Sequence, residues 1–176
     1  MRLYCSPECQ KQDWKVHKIL CATWKDFKDA PEDNLNMRRV LMFDIDQPTL
    51  RFAWMPVEPR GTGEHVWDYP RPEHLYPPGT VENMTLTINA YNAARRRQLV
   101  PSLQIHFQDS FQIDDRVPVN MGVSKCFPPR QAGELTWKGP LVVSKILPRP
   151  QRILHVDMRD IREIADWLVE WRRGRA

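Results

Sequence analysis

Cys5, Cys9, His17 and Cys21 gather three thiols and an imidazole into 17 positions of a 176-residue chain that has four cysteines in all. Thiolate sulfur and imidazole nitrogen are the ligands that structural zinc prefers, so the pattern C-x3-C-x7-H-x3-C points to metal binding. In a reducing compartment such density argues for a metal site rather than for disulfides. His17 and Cys21, four residues apart, share one face of a helix. Cys9 and His17 are harder to bring together. Ligands of one zinc lie within about 4 Å of each other, whereas eight residues of unbroken helix rise about 12 Å. One ion held by all four ligands therefore requires a break near Gln12 and Asp13, with Asp13 capping a short helix from Trp14 to Leu20. The residues leave two arrangements open: one four-ligand site, or two half-sites of two ligands each.

The stretch YCSPECQKQDWKVHKILC, from Tyr4 to Cys21, resembles the second half of a MYND-type zinc finger. The resemblance runs through Tyr4, Cys5, Ser6, Cys9, Gln10, Asp13, Trp14, His17, Lys18 and Cys21, about a tenth of the chain. It implies a Zn2+ ion held structurally rather than catalytically, in a module that binds proteins through short, often proline-containing peptides. It also implies interleaved half-sites, with Cys5 and Cys9 completing one ion and His17 and Cys21 the other. In the family pattern four further cysteines precede Tyr4. A truncated finger is the expectation, and a degenerate finger the alternative, because Gln10, Asp13 and Trp14 are kept although they are not ligands. The remaining residues resemble the uncharacterised region that follows such fingers in fungal proteins.

The elements that must carry this segment follow from periodicity. Residues 1–24 are predicted as the partial finger, 25–36 as a linker rich in acids, asparagine and proline, and 37–176 as a domain of unknown role. Short apolar runs at 40–45, 51–57, 84–89, 102–108 and 139–147 have strand length and strand-favouring residues. Asp46-Gln47-Pro48-Thr49 reads as a reversal joining the first two runs into a hairpin. In Leu103-Gln104-Ile105-His106-Phe107 the apolar residues alternate, which predicts His106 on an outward face. Residues 56–78, dense in proline, are predicted as a loop packed by Trp67, Tyr69 and Tyr76. From Asp157 to Arg173, Met158, Ile161, Ile164, Ala165, Leu168 and Trp171 recur at helical steps, predicting a C-terminal amphipathic helix with Asp157 at its N-cap. The fold class expected is α+β: a short helical finger fragment, then a β-rich domain closed by that helix.

The balance of 26 basic and 22 acidic residues gives a formal charge of +4, too modest to favour nucleic acid. Arg95-Arg96-Arg97 and the terminal arginines keep a nucleic-acid or transcription-associated role as the alternative, whose signature is steep salt dependence. No run approaches the 18 apolar residues of a membrane helix, and the first residues lack a signal-peptide core. The expected setting is intracellular, nucleus or cytoplasm, without membrane. An enzyme is not expected. A SET-type lysine methyltransferase fragment needs an Asn-His-Ser-Cys-like motif that the sequence after Cys21 does not contain. No G-x-S-x-G elbow, phosphate-cradling glycine loop or H-E-x-x-H helix is found either. Asp44 and Asp46 are read as hairpin-end groups, and Cys126 as a small, partly buried thiol.

Overall fold

The computed structural model describes residues 14, 18, 20, 21, 24–27, 29, 36–63, 65–81, 84–109, 113–128, 132–149 and 151–174. These residues are mostly β. Seven strands, β1 (Met37–Phe43), β2 (Leu50–Arg60), β3 (Trp67–Pro70), β4 (Met84–Asn92), β5 (Arg97–Gln108), β6 (Leu141–Pro148) and β7 (Gln151–Leu154), form a sheet in the order β3-β2-β1-β6-β5-β4. β7 pairs with β6 beyond the point where β1 leaves it. The sheet curls until its β3 edge reaches β7. There the buried Asp68 carboxylate accepts from the Ile153 amide at 2.9 Å and pairs with Arg152 at 3.2 Å. Two helices are named here: α1 (Met121–Cys126) and α2 (Ile161–Arg172).

The predicted β1–β2 hairpin forms, with Phe43 opposite Leu50 and Met37 opposite Pro56. Its turn closes through the Asp44 amide on the Thr49 carbonyl and the Thr49 hydroxyl on the Asp44 carboxylate. Gly122 of α1 lies against this turn. A Cβ there would sit 2.3 Å from the Thr49 carbonyl oxygen, so no larger residue lets the helix approach.

Alternation along the strands sorts the core into two faces. One face carries Leu41, Phe43, Phe52, Leu103, Ile105, Leu141 and Val143, and is covered by Ile161, Ile164 and Leu168 of α2 together with Leu20. Trp137 is buried at its centre, with ring centroids 5.8 Å from Trp167 and 4.5 Å from Trp171. The other face carries Val40, Met42, Ala53, Met55, Val57, Val142 and Ile153, and is covered by Tyr76 with Leu75 and Val81.

Three local expectations change. His106 is buried rather than outward-facing, because the curl and the 72–81 segment cover the second face as well. Its Nε2 lies 3.2 Å from the Ser144 hydroxyl, which reaches Gln104 Oε1 at 3.1 Å, and burial lowers its pKa to about 3. The proline-rich stretch is more regular than predicted. β2 continues to Arg60, β3 pairs with it, and a 3-10 turn spans Pro72–Leu75. Proline is tolerated in β3 because that strand is a sheet edge. The C-terminal helix begins at Ile161, after a turn in which the Asp157 amide donates to the Asp160 carboxylate and Lys145 pairs with the same group at 2.7 Å.

Candidate functional site

Trp14, Lys18, Leu20, Cys21 and Trp24 to Phe27 are all helical, and their exposure follows helical geometry. Leu20, Trp24 and Phe27, spaced i, i+4, i+7, face the sheet. Leu20 is fully buried, and the other two are half-buried against the same core. Trp14, Lys18, Cys21 and Lys25, also at three-, four- and seven-residue steps, are exposed on the opposite side. The described helical residues thus divide into a docked apolar set and an outward set.

The stripe meets an aromatic floor on β2. The Trp24 ring packs edge-on to Phe52 with centroids 5.1 Å apart, and Phe27 stacks on Trp54 at 6.0 Å. Arg39 of β1 ties the parts together. Its guanidinium carbon lies 4.4 Å from the Trp24 ring centroid, a cation–π contact. Its Nε donates to the Val156 carbonyl at 2.7 Å, and its Nη1 donates to the Phe27 carbonyl. Its amide donates to His155 Nδ1 at 2.9 Å. Burial lowers the Arg39 pKa from its ordinary value, partly offset by Asp157 and Asp160. No signal for Arg39 stood out in the sequence. The spacing of Leu20, Trp24 and Phe27 is the sequence signal for this docked stripe.

Of the four candidate metal ligands, Cys21 is described, as an exposed free thiol. Cys5, Cys9 and His17 lie outside the described residues. Cys21 fits a metal site in one respect that matters: its neighbour Leu20 points into the core, so the thiol is directed away from the sheet. Among the described residues, no three His, Cys, Asp or Glu side chains are grouped to hold an ion. Cys126 is half-buried, and burial pushes its thiol up to about 12, which keeps it protonated and unreactive.

A cavity of about 520 Å³ opens beside the β1–β2 turn, with Met42, Leu75 and Tyr76 on one side and Asp44, Asp46 and Arg51 on the other. Asp44 is engaged within the turn by Thr49 at 2.5 Å and Arg51 at 3.3 Å, as its reading as a hairpin-end group requires. Of the arginine cluster, Arg95 and Arg97 are held by Asp166 and Glu163 of α2. Among the described residues no helix is long and apolar enough to cross a membrane.

Residues 1–21 match the family model of the MYND finger. A stretch of 55 residues is 33% identical to Tudor domain-containing protein 1 of Oryzias latipes, covering 24% of this chain and 5% of that protein. No solved structure matches the chain.

Proposed function

We propose that residues 1–24 act as a structural zinc finger in a protein–protein interaction protein, joined through residues 25–36 to an α+β domain of residues 37–176. The observation that carries this reading is the MYND match over residues 1–21, ending on a Cys21 thiol that is exposed and aimed away from the core. Zn2+ supplies folding energy there by cross-linking a segment too short to build a core of its own. Cys5 with Cys9, and His17 with Cys21, are the ligand pairs. The partner is a protein presenting a short, proline-containing peptide, and the setting is the nucleus or cytoplasm.

Two observations support this reading over its alternatives. Arg95 and Arg97 are already committed to carboxylates of α2, which weakens a nucleic-acid surface. The hydroxyl–imidazole pair of Ser144 and His106 is sealed inside the sheet, where no substrate can reach it. No catalytic role is assigned.

Elemental analysis of the purified chain tests the reading. About one or more zinc ions per chain is expected, and less than about half an ion sinks it. Cys21→Ser then separates the two ligand arrangements. It removes all the zinc from a four-ligand site, but leaves the Cys5–Cys9 ion if the half-sites are separate.

A further inference from the structure

We infer that Leu20, Trp24, Phe27 and Arg39 are positioning residues for the metal-bearing helix, so that metal occupancy and the folding of the β1–β2 region are one linked equilibrium. The inference rests on the zinc-finger reading and goes beyond it: Leu20, Trp24 and Phe27, beside the candidate ligand Cys21, pack on the core of the β-domain. Its basis is geometric. Successive residues of one helix serve different ends, with Leu20 fully buried in the sheet core and Cys21 exposed on the other side. A helix cannot release one face while holding the other in place, because both are carried by the same backbone.

The docking is specific as well as apolar. Trp24 and Phe27 lie on Phe52 and Trp54, and the buried Arg39 guanidinium reaches the Trp24 ring, the Phe27 carbonyl and the Val156 carbonyl together. If the helix unwinds when metal is lost, Arg39 loses its Phe27 acceptor and its ring contact while remaining bound to Val156. Phe52, fully buried now, would be opened to water. Isolated short helices are marginal in water, so these helical residues need the metal, the sheet, or both.

Linkage makes the coupling reciprocal. Metal stabilises the β1–β2 region, and the β1–β2 region tightens metal binding by the same factor. Arg39 and Phe52 are far in sequence from the candidate ligands and supply none of them, so their effect on metal affinity reports this coupling.

The test uses the full chain and cobalt(II) as a visible substitute for zinc. Affinity is measured by absorbance titration in wild type, Arg39→Lys, Trp24→Ala and Leu86→Thr. Amide hydrogen exchange of β1 and β2 is followed with metal and with a chelator. Arg39→Lys keeps the charge but loses the planar fork, and is expected to weaken cobalt binding by about 10-fold, with Trp24→Ala at least as much. Leu86→Thr, on the exposed far strand β4, is expected to leave affinity unchanged. Chelation is expected to speed exchange at Val40–Phe43 and Phe52–Met55. If none of the four proteins takes up metal, wild type included, both the zinc-finger reading and the linkage are overturned. Metal uptake with equal affinity in wild type, Arg39→Lys and Trp24→Ala, and with unchanged β1–β2 exchange, overturns the linkage alone and leaves the finger standing.

Discussion

The two faces of the sheet are covered by different means, and the difference separates what stabilises this protein from what could regulate it. On one face, helices lay apolar stripes on strands: α2 through Ile161, Ile164 and Leu168, and the N-terminal helical segment through Leu20. The other face is closed by the curl of the sheet and by the segment around Tyr76, and at its β5–β6 section it holds the polar chain Gln104–Ser144–His106. The polar face satisfies its groups internally and responds to protons.

That contrast is sharpest in acid. The neutral His106 imidazole has a folded pKa near 3, below its ordinary 6.5, so the unfolded chain binds the extra proton first as pH falls. Stability from this group is complete above about pH 6.5 and is lost progressively towards pH 3, by roughly 3–5 kcal/mol. Denaturant midpoints measured between pH 7 and pH 4 should fall steeply in wild type and less so in His106→Gln. An equal slope in both proteins would remove His106 as the acid-sensitive group.

On the helical face, Leu168→Ala and Leu20→Ala remove fully buried side chains from the same core, and each should cost about 2–5 kcal/mol in urea unfolding. This pair tests whether the two helices are equals. A cost below about 0.5 kcal/mol for Leu20→Ala beside a large one for Leu168→Ala would show that the N-terminal segment rests on the sheet without contributing to it.

Smaller effects belong to the polar anchors of each helix. Asp166→Asn loosens Arg95 from α2 and breaks the Arg162–Asp166 pair within that helix, and Arg39→Met frees the Phe27 and Val156 carbonyls. Each should cost about 1–3 kcal/mol, read as a shift in thermal midpoint. Raising the salt concentration should shrink the Asp166 effect more, since Arg95 is partly exposed while Arg39 is buried. The smallest change expected is at the sheet edge. Leu86→Thr on β4, whose side chain is 43% exposed, should stay within about 0.5 kcal/mol of wild type in the same assay.

Much of this was legible in the sequence, because local pattern dictates it. The β1–β2 hairpin, the strands at 84–89, 102–108 and 139–147, and the apolar stripe of the C-terminal helix all follow from residues a few positions apart. The candidate metal ligands stand out for the same reason: cysteine and histidine chemistry shows in residue type and spacing. His106 was misread because alternation reports which side of a strand a residue faces, and cannot report whether both sides are covered. α1 escaped because six residues carry too little periodicity. Its entry beside the hairpin turn depends on Gly122 meeting Thr49, 73 positions away.

By itself the sequence determined a MYND-like segment with its candidate ligands, a β-rich remainder and an amphipathic C-terminal helix, since each is written in neighbouring residues. Tertiary structure alone decided that Trp24 and Phe27 lie on β2 beside the guanidinium of Arg39, and that Gln104, Ser144 and His106 meet inside the curl. Those contacts join residues 12 to 40 positions apart. Which of the available aromatic, basic and polar side chains meet is settled by strand order and register, which no local pattern contains.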